Sequence, residues 1–577
     1  MILVFGGTTE GRQAIKALEA AGQPYFYSTK TGEQEVVLHH GVRTDGAMDA
    51  DEMARFCRKN DIRLIVDAAH PFASRLHQTI GDVAASLRLP VVRFERIYPP
   101  RQTDITWIDD YREVPTDVST LLATTGVQSI RQLQWLEKRG VKVVYRILNR
   151  ESSIALARNQ GARDEQLCYY EEPADMPSGA DALLLKESGL TGGFVEKVEE
   201  ARRRGMRIIA LRRPPMPESF VTVDGEHGLR RMVERLLPEF FPLKSGLTTG
   251  TCATAAAVAA TVRLTKGETP AEVPIRLPNG ETINVAVGYG EDYAYCIKES
   301  GDDPDVTNGI EIRAQAERAN NFEIRSGSGI GRFTLPGFDF PPGEPAINRI
   351  PREMLRNNIR ERVRITLSVP NGEEIAHRTF NPRLGIEGGI SIIGVSGIVM
   401  PYSEEAFIQS IRKCMEVARA SQSPRIVIGS GMKSEQQLRH LYPDLPSQAF
   451  VEYGNYIGET LKIADEMGIN RMTLGIMIGK AVKLAQGHLD THSRRVTMDR
   501  TFVAQLLREA DCSTAAIAHI DGITIARELW DILSPSEAAR FSEVVVRHCY
   551  RHCKPLLPKG ELTILLLDDK GGIYGKK

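Results

Sequence analysis

At 577 residues the chain can hold roughly three or four domains of ordinary size. With 42% hydrophobic and 25% charged residues and a net charge of -1, it has no whole-surface attraction to nucleic acid or anionic membrane, so an acidic ligand has to be held by local Arg and Lys. Eight cysteines, isolated except for Cys549 and Cys553, fit reduced thiols in a cytoplasm better than a disulfide framework.

Ile2–Phe5 is a short apolar run with no charged segment before it, and it reads as a first strand rather than a signal peptide. GGTTEGR follows at 6–12, and then Ile15, Leu18 and Ala21 at helical spacing. Strand, glycine turn and helix form the setting in which backbone N–H groups approach a pyrophosphate. Gly6, Gly7, Thr8, Thr9, Glu10, Gly11 and Arg12 are the candidate cofactor residues. The spacing departs from G-x-G-x-x-G, and a tight turn in any parallel α/β sheet looks similar. A second strand ends in Ser28, Thr29 and Lys30, where NAD-selective sites place an acid on the ribose hydroxyls. The missing acid and nearby Lys30 lean toward NADPH over NADH and make Ser28 and Lys30 cofactor candidates. Leu64–Asp67 is a third strand, followed by AAHPF. There His70 either faces a ligand or orders its own loop.

The pattern then restarts. A strand runs into Thr124, Thr125 and Gly126, Val141–Tyr145 is another, and Ala182–Lys186 leads into ESGLTGG at 187–193. Ile208–Leu211 ends in RRPP at 212–215. Such units predict an α/β half of two Rossmann-like doubly wound lobes, about 1–110 and 111–243, with a cleft between them. Lys186, Arg212 and Arg213 would sit at strand ends facing that cleft toward an acidic ligand, solvated loop charges being the alternative.

GGTTEGR at 6–12, DAAHPFA at 67–73, TTG at 124–126, KESGLTGG at 186–193 and RRPP at 212–215 together resemble precorrin-6A reductase of the cobalamin pathway. The resemblance implies hydride transfer from NADPH or NADH to one double bond of a contracted tetrapyrrole ring. It puts His70, Thr125, Gly126, Lys186, Ser188, Gly189, Arg212 and Arg213 on the substrate side.

Pro238 and Pro242 bracket Phe240 and Phe241, so no helix runs through. LKSGLTTGTCATAAA at 243–257 then opens an alanine-rich helix, which places a domain boundary near 243. The turn Thr248, Thr249, Gly250, Thr251 offers a helix start to an anion. ESGDDPDVT at 299–307 gathers Asp302, Asp303 and Asp305, which suits a divalent metal, a sulfonium or a ribose. An Asx-rich turn capping its own backbone is the equal alternative. Glycine loops recur at GSGIG 327–331, TFNPRLGIEGGIS 379–391, GVSG 394–397, IVIG 426–429 and LGIMIGK 474–480, and THS stands at 491–493. The texture predicts a mixed α+β half, 244–577, with two subdomains split near residues 390–400.

These pieces in this order resemble cobalt-precorrin-5B C1-methyltransferase over nearly all of 244–577. The resemblance implies methyl transfer from S-adenosylmethionine to a ring carbon, releasing a two-carbon fragment as an aldehyde. It implies Thr248, Thr249, Gly250 and Thr251 on a carboxylate, and Asp302, Asp303 and Asp305 by the cofactor, Asp303 as a catalytic candidate. His492 would handle protons, and Arg332, Arg383 and Arg494 would pair with the acetate and propionate arms of an anionic tetrapyrrole. Met477 departs from the family's usual His before IGK, GSG at 429–431 from the usual Gly-Asn-x-Gly, and Arg349 from the usual Asn-Pro. A bifunctional enzyme for two consecutive steps is the leading reading. An active methyltransferase carrying a non-catalytic, macrocycle-binding half is the second, and the sequence leaves a homo-oligomer and the presence of cobalt in the ring open. Two further patterns, HCYRHC at 548–553 and His488 with His492, lack zinc-site spacing, and no metal is assigned.

Overall fold

The computed structural model describes all residues except 31–33, 35, 171, 173–175, 178, 494, 569, 570 and 577, and it omits the side chains of 575 and 576. It divides into two compact units, Met1–Ser245 with Pro274–Asn284, and Gly246–Val273 with Val285–Lys577.

The first unit contains two parallel six-stranded sheets. One runs, edge to edge, Val221–Asp224, Val91–Glu95, Leu64–Asp67, Ile2–Phe5, Tyr25–Thr29, Gly41–Asp45. The other runs Thr106–Ile108, Arg207–Leu211, Ala182–Lys186, Thr120–Ala123, Lys142–Leu148, Leu167–Tyr170. Strands such as Ile2–Phe5 and Leu64–Asp67 are buried on both faces, as unbroken apolar runs require in a sheet covered by helices on each side. Two doubly wound lobes are therefore present. The chain divides between them differently from the expected break near 110. Thr106–Ile108 already pairs with the second sheet, and Val221–Asp224 returns to the first. Apolar matching explains the return, since Val223, Leu229, Val233, Phe240 and Phe241 all join the core around Ile2 and Val4.

The proline-bracketed seam is likewise packed. Arg230 lies 4.3 Å from the Phe241 ring centroid and pairs with Glu234 at 2.8 Å, while Glu234 accepts the N–H of Ser245 at 2.9 Å. The excursion Pro274–Asn284 caps the helix Gly225–Leu236, its Glu281 accepting the N–H groups of Glu226 and His227 at 3.1 and 2.9 Å.

In the second unit the alanine-rich helix Thr249–Lys266 is buried along most of its length and packs on the strands Ala294–Ile297 and Glu311–Arg318. Alanine permits that close approach and favours the helix itself. The sheet beneath it has the order Gly288–Tyr289, Ala294–Ile297, Glu311–Arg318, Val363–Ser368, Glu323–Ser326. Its pairs are antiparallel except the last. A separate sheet follows, ordered Phe450–Glu452, Ile426–Gly429, Arg471–Met477, Glu561–Leu567, Ile573–Lys576, parallel but for its final strand. Cys549 and Cys553 are buried against this sheet's core, and His548 bonds Glu509 at 2.8 Å. No helix among the described residues is long and apolar enough to cross a membrane.

Candidate functional site

The first crevice opens where the strand order of the first sheet reverses, between the carboxyl ends of Ile2–Phe5 and Leu64–Asp67. Thr8 caps the following helix by accepting the N–H of Gly11 at 3.2 Å, and its own hydroxyl donates to the Ala68 carbonyl at 2.9 Å. That bond ties the glycine turn to the DAAHPF loop. Gly7 is exposed at φ +95°, with open space where a side chain would stand. Gly6 and Gly11 instead close on Tyr27, where any Cβ would collide with its ring or hydroxyl. Thr9 is half-buried and Arg12 exposed at the mouth of the turn. Ser28 is buried, and Thr29 donates to Asp45 at 2.7 Å, so the neighbouring strand presents no carboxylate of its own; Lys30 is exposed beyond it. This cradle fits a dinucleotide pyrophosphate.

Glu10 corrects the sequence reading. It was expected on the cofactor, but it is 2% exposed and bonds Arg96 at 2.9 Å and the hydroxyl of Thr191 in the other lobe. Arg96 in turn donates to the Ser188 carbonyl at 2.8 Å, and Gly189 lies so close to Arg96 that a Cβ would meet its side chain at 2.9 Å. Ser188 and Gly189 are thus parts of the joint between lobes, and the Ser188 hydroxyl donates to Gly192. Thr125 bonds Ser129 at 2.6 Å, and Gly126, at φ +85°, turns the chain into the next helix. Arg212 and Arg213 also differ from expectation. Asp109 takes Arg212 at 2.6 Å, and Glu187 takes Arg213 at 3.3 Å together with Arg101 at 2.9 Å. Arg212 already has a carboxylate of its own, and Arg213 shares Glu187 with Arg101.

His70 and Lys186 do meet across the lobes. Lys186 stands 4.9 Å from the ring of Phe72, two residues from His70, and has no carboxylate partner among the described residues. Burial holds its ammonium below the ordinary range. The loop carrying His70 is set by Asp67, which bonds His77 at 2.6 Å and the fully buried Arg93 at 3.0 Å. Burial, reinforced by the charges of Arg96 and Lys186, pulls His70 down from 6.5 to about 3. The ring is therefore neutral. Its Nδ1 accepts the N–H of Phe72 at 3.2 Å, which leaves the proton on Nε2. Sequence reading missed the buried Arg96 and Arg146 and the half-buried Lys197, all basic residues of this region. No motif marks them, since their neighbours come from distant strands.

In the second unit the Thr-Thr-Gly-Thr turn faces inward. The Thr249 hydroxyl donates to the Ser391 carbonyl at 3.2 Å, that of Thr251 to Gly397 at 2.6 Å, and the Gly250 N–H to Ile393 at 2.9 Å. Thr248 accepts from Thr251 at 3.2 Å as the helix cap. Most donors of the helix start are thus used by the chain's own loop and cap, which leaves little of the cradle expected for a carboxylate or the methyl donor. Asp305 pairs with the buried Lys298 at 2.7 Å and accepts from Thr307. Burial alone would raise its carboxyl, but Lys298 and these bonds hold it below the usual range. Asp303 accepts the N–H of Tyr402 at 3.2 Å, while Asp302 is exposed. Among the described residues no three acidic, His or Cys side chains are grouped to hold a metal ion. Arg332 bonds the Gly343 carbonyl at 2.9 Å, and Arg494 lies outside the described residues.

A second crevice, missed in the sequence, lies at the carboxyl end of the later parallel sheet. There the order reverses between Ile426–Gly429 and Arg471–Met477. A cavity of about 540 Å³ opens beside it, lined by Ser430, Gly431, Lys433, Met477, Gly479 and Trp530 among others. Glu452 ends the strand next to Gly429 and is its register partner. A Cβ on Gly431 would lie 3.6 Å from the Glu452 carboxylate and touch nothing else within 4 Å. Burial raises the Glu452 carboxyl, against the attraction of Arg383. Arg383 itself bonds Glu435 at 2.8 Å. Lys480, pulled down to about 8 by burial, donates to the Gly454 carbonyl. Thr491 reaches the same loop at the Asn455 carbonyl, which brings the THS segment and His492 to this end of the sheet.

These geometries define a chain with two separate crevices at strand-order reversals of parallel α/β sheets. Residues 1–229 match the family "Precorrin-6x reductase CbiJ/CobK", residues 238–401 match "CbiD", and residues 490–577 match "CbiD, C-terminal domain". A Prosthecochloris aestuarii protein named cobalt-precorrin-5B C(1)-methyltransferase is 40% identical over 290 residues, covering 48% of this chain and 79% of its own. One of the same name from a Bradyrhizobium species is 37% identical over 366 residues, covering 60% and 96%. A crystal structure of cobalamin biosynthesis protein cbiD from Archaeoglobus fulgidus is 31% identical over 44% of this chain and 83% of its own, with a TM-score of 0.26. A structure titled CobK precorrin-6A reductase is 19% identical over 41% and 97%, with a TM-score of 0.34. The chain belongs to the cobalt-precorrin-5B C1-methyltransferase family, with a precorrin-6x reductase region fused ahead of it.

Two outcomes follow from the first crevice. Glu10→Gln leaves the Arg96 guanidinium buried without its counter-charge and should cost about 3 kcal/mol in denaturant unfolding. It should change nucleotide affinity by less than about twofold, a span under 0.5 kcal/mol; a selective loss of affinity would restore Glu10 to the cofactor. His70 makes stability depend on pH, because the unfolded chain takes up its proton near 6.5 and the folded chain only near 3. The contribution is complete above the higher value and is lost as pH falls toward the lower. Urea titrations at pH 7 and pH 5 should therefore show a smaller stability loss for His70→Asn than for the parent chain. Equal losses would contradict this account.

Proposed function

We propose that the chain is a bifunctional enzyme of cobalamin biosynthesis. The second unit methylates C1 of cobalt-precorrin-5B using S-adenosylmethionine, and the first reduces the resulting precorrin-6A-type ring using NADPH or NADH. The observation that carries this reading is the joining, in one chain, of two families whose reactions are consecutive. Tethering raises the concentration of the intermediate available to the second site without any new contact.

When bound, the nicotinamide nucleotide supplies a hydride and S-adenosylmethionine supplies an electrophilic methyl group. The chain's own residues position and shield. Gly7, Thr8 and Thr9 leave room for the pyrophosphate at a helix start whose dipole favours its charge. Ser28 and Lys30, in place of an acid, leave room for a 2′-phosphate. Lys186 supplies positive charge on the ligand side of the crevice, suited to a ring carboxylate. Neutral His70 offers an N–H donor from Nε2. In the second unit, Arg383 and His492 at the carboxyl end of the later sheet are the chain's groups for ring carboxylates and proton handling.

Gly7→Val tests the division of labour. A β-branched residue is strained at φ +95° and fills the open turn. Assayed anaerobically, the full-length variant should lose nucleotide oxidation while methyl transfer stays within about twofold, under 0.5 kcal/mol of transition-state binding. Oxidation at the parent rate would remove the nucleotide from this turn. Loss of methyl transfer as well would overturn two independent sites.

A further inference from the structure

We propose that Glu452 binds the ribose hydroxyls of the methyl donor, and that the donor occupies the strand-order reversal of the later parallel sheet rather than the Thr-Thr-Gly-Thr turn. This rests on the methyltransferase reading above and adds to it the nucleoside site.

Strand Ile426–Gly429, loop Ser430–Gly431, helix Met432–Leu441 and parallel strand Phe450–Glu452 form one βαβ unit. In such units the first loop passes under the ligand, and a carboxylate roughly 20 residues on, at the end of the next strand, takes the ribose diol. Glu452 stands in that position, side by side with Gly429. Its carboxylate accepts no hydrogen bond from any described residue, although it is more than half buried and aimed at Gly431. Elsewhere in the chain comparable carboxylates are consumed, Glu10 by Arg96, Glu187 by Arg101 and Asp305 by Lys298.

The surroundings accept a nucleoside with an unphosphorylated diol. Gly431 and Gly479 are open where a side chain would stand. Ser434 holds the loop in place, its hydroxyl accepting the N–H of Ser430 at 2.9 Å. Beyond the loop lies the 540 Å³ cavity, walled by Met477, Ile525 and Trp530, while Glu452 itself lines an adjoining pocket with Arg383, Phe380 and Phe450, next to Gly431. The two glycine-loop sheets thus differ at one place. The first presents Ser28 and Thr29 beside its loop, and the later one presents a carboxylate, which repels a 2′-phosphate and chelates a free diol. The reductase nucleotide and the methyl donor are sorted by that difference. The Thr-Thr-Gly-Thr turn is the weaker candidate, because residues 391–397 take the hydroxyls of Thr249 and Thr251 and the N–H groups of Thr248 and Gly250.

The test is equilibrium binding to the full-length protein by calorimetry, with S-adenosylhomocysteine as the probe and its 2′-deoxy analogue as comparison. The parent chain should bind the deoxy analogue at least tenfold more weakly. Glu452→Gln should weaken S-adenosylhomocysteine at least tenfold and erase the preference for the 2′-hydroxyl, with an unchanged melting temperature. Parent-like affinity and preference in Glu452→Gln would overturn the assignment while leaving the methyltransferase reading intact. Absence of S-adenosylhomocysteine binding by the parent chain would overturn that reading itself. Should Glu452→Gln fold poorly, the 2′-deoxy comparison in the parent chain still decides, equal affinities refuting a carboxylate on the diol.

Discussion

A parallel sheet whose strand order reverses cannot keep its loops together at the carboxyl end, and the gap it leaves is where a ligand enters. Much of this chain is organised by that constraint. It applies to the sheet containing Ile2–Phe5, to the sheet containing Thr120–Ala123 and to the later sheet containing Ile426–Gly429. The first and last of these put a glycine turn beneath the gap. What distinguishes them is the residue beside the first glycine, Ser28 or Thr29 in one case and Glu452 in the other. In the proposed reading, one reversal takes a phosphorylated dinucleotide and the other a free ribose diol.

Charge at these gaps is handled by burial and pairing. Arg93 with Asp67, Arg96 with Glu10, and Arg101 and Arg213 with Glu187 form ion pairs that span strand ends or lobes. Desolvation offsets much of what such pairs gain, so they act chiefly as joints that fix one geometry. The groups left over then matter. Lys186 lacks a carboxylate, His70 is kept neutral by its basic neighbours, and Glu452 lacks a donor, all among the described residues. An unsatisfied group in a low-dielectric gap is held ready for a ligand that completes it.

The strands and glycine turns were legible because buried parallel strands read as unbroken apolar runs and because glycine fits the close approaches at Gly6 and Gly11 and the positive φ of Gly7. The return of Val221–Asp224 to the first sheet was not, since it depends on which core has room for Leu229 and Phe241. Partnerships across lobes were equally hidden. Glu10 sits inside a phosphate-loop motif, yet its bond is to a residue 86 positions away. The Thr-Thr-Gly-Thr turn has the composition of an anion site, and only the closure of residues 391–397 over it shows that its donors are used. Glu452 follows no motif at all. Its meaning comes from register, being opposite Gly429, and from the helix that separates the two strands.

The central claim is that one polypeptide carries out both steps. It is tested most directly by mass spectrometry of the pigment after anaerobic incubation of the full-length protein with cobalt-precorrin-5B, methyl-deuterated S-adenosylmethionine and nicotinamide nucleotide deuterated at the transferable position. The account predicts a single product that has lost the two-carbon fragment and carries both the labelled methyl group and the transferred deuterium. A product bearing the methyl label alone, whichever reduced nucleotide is supplied, would contradict it.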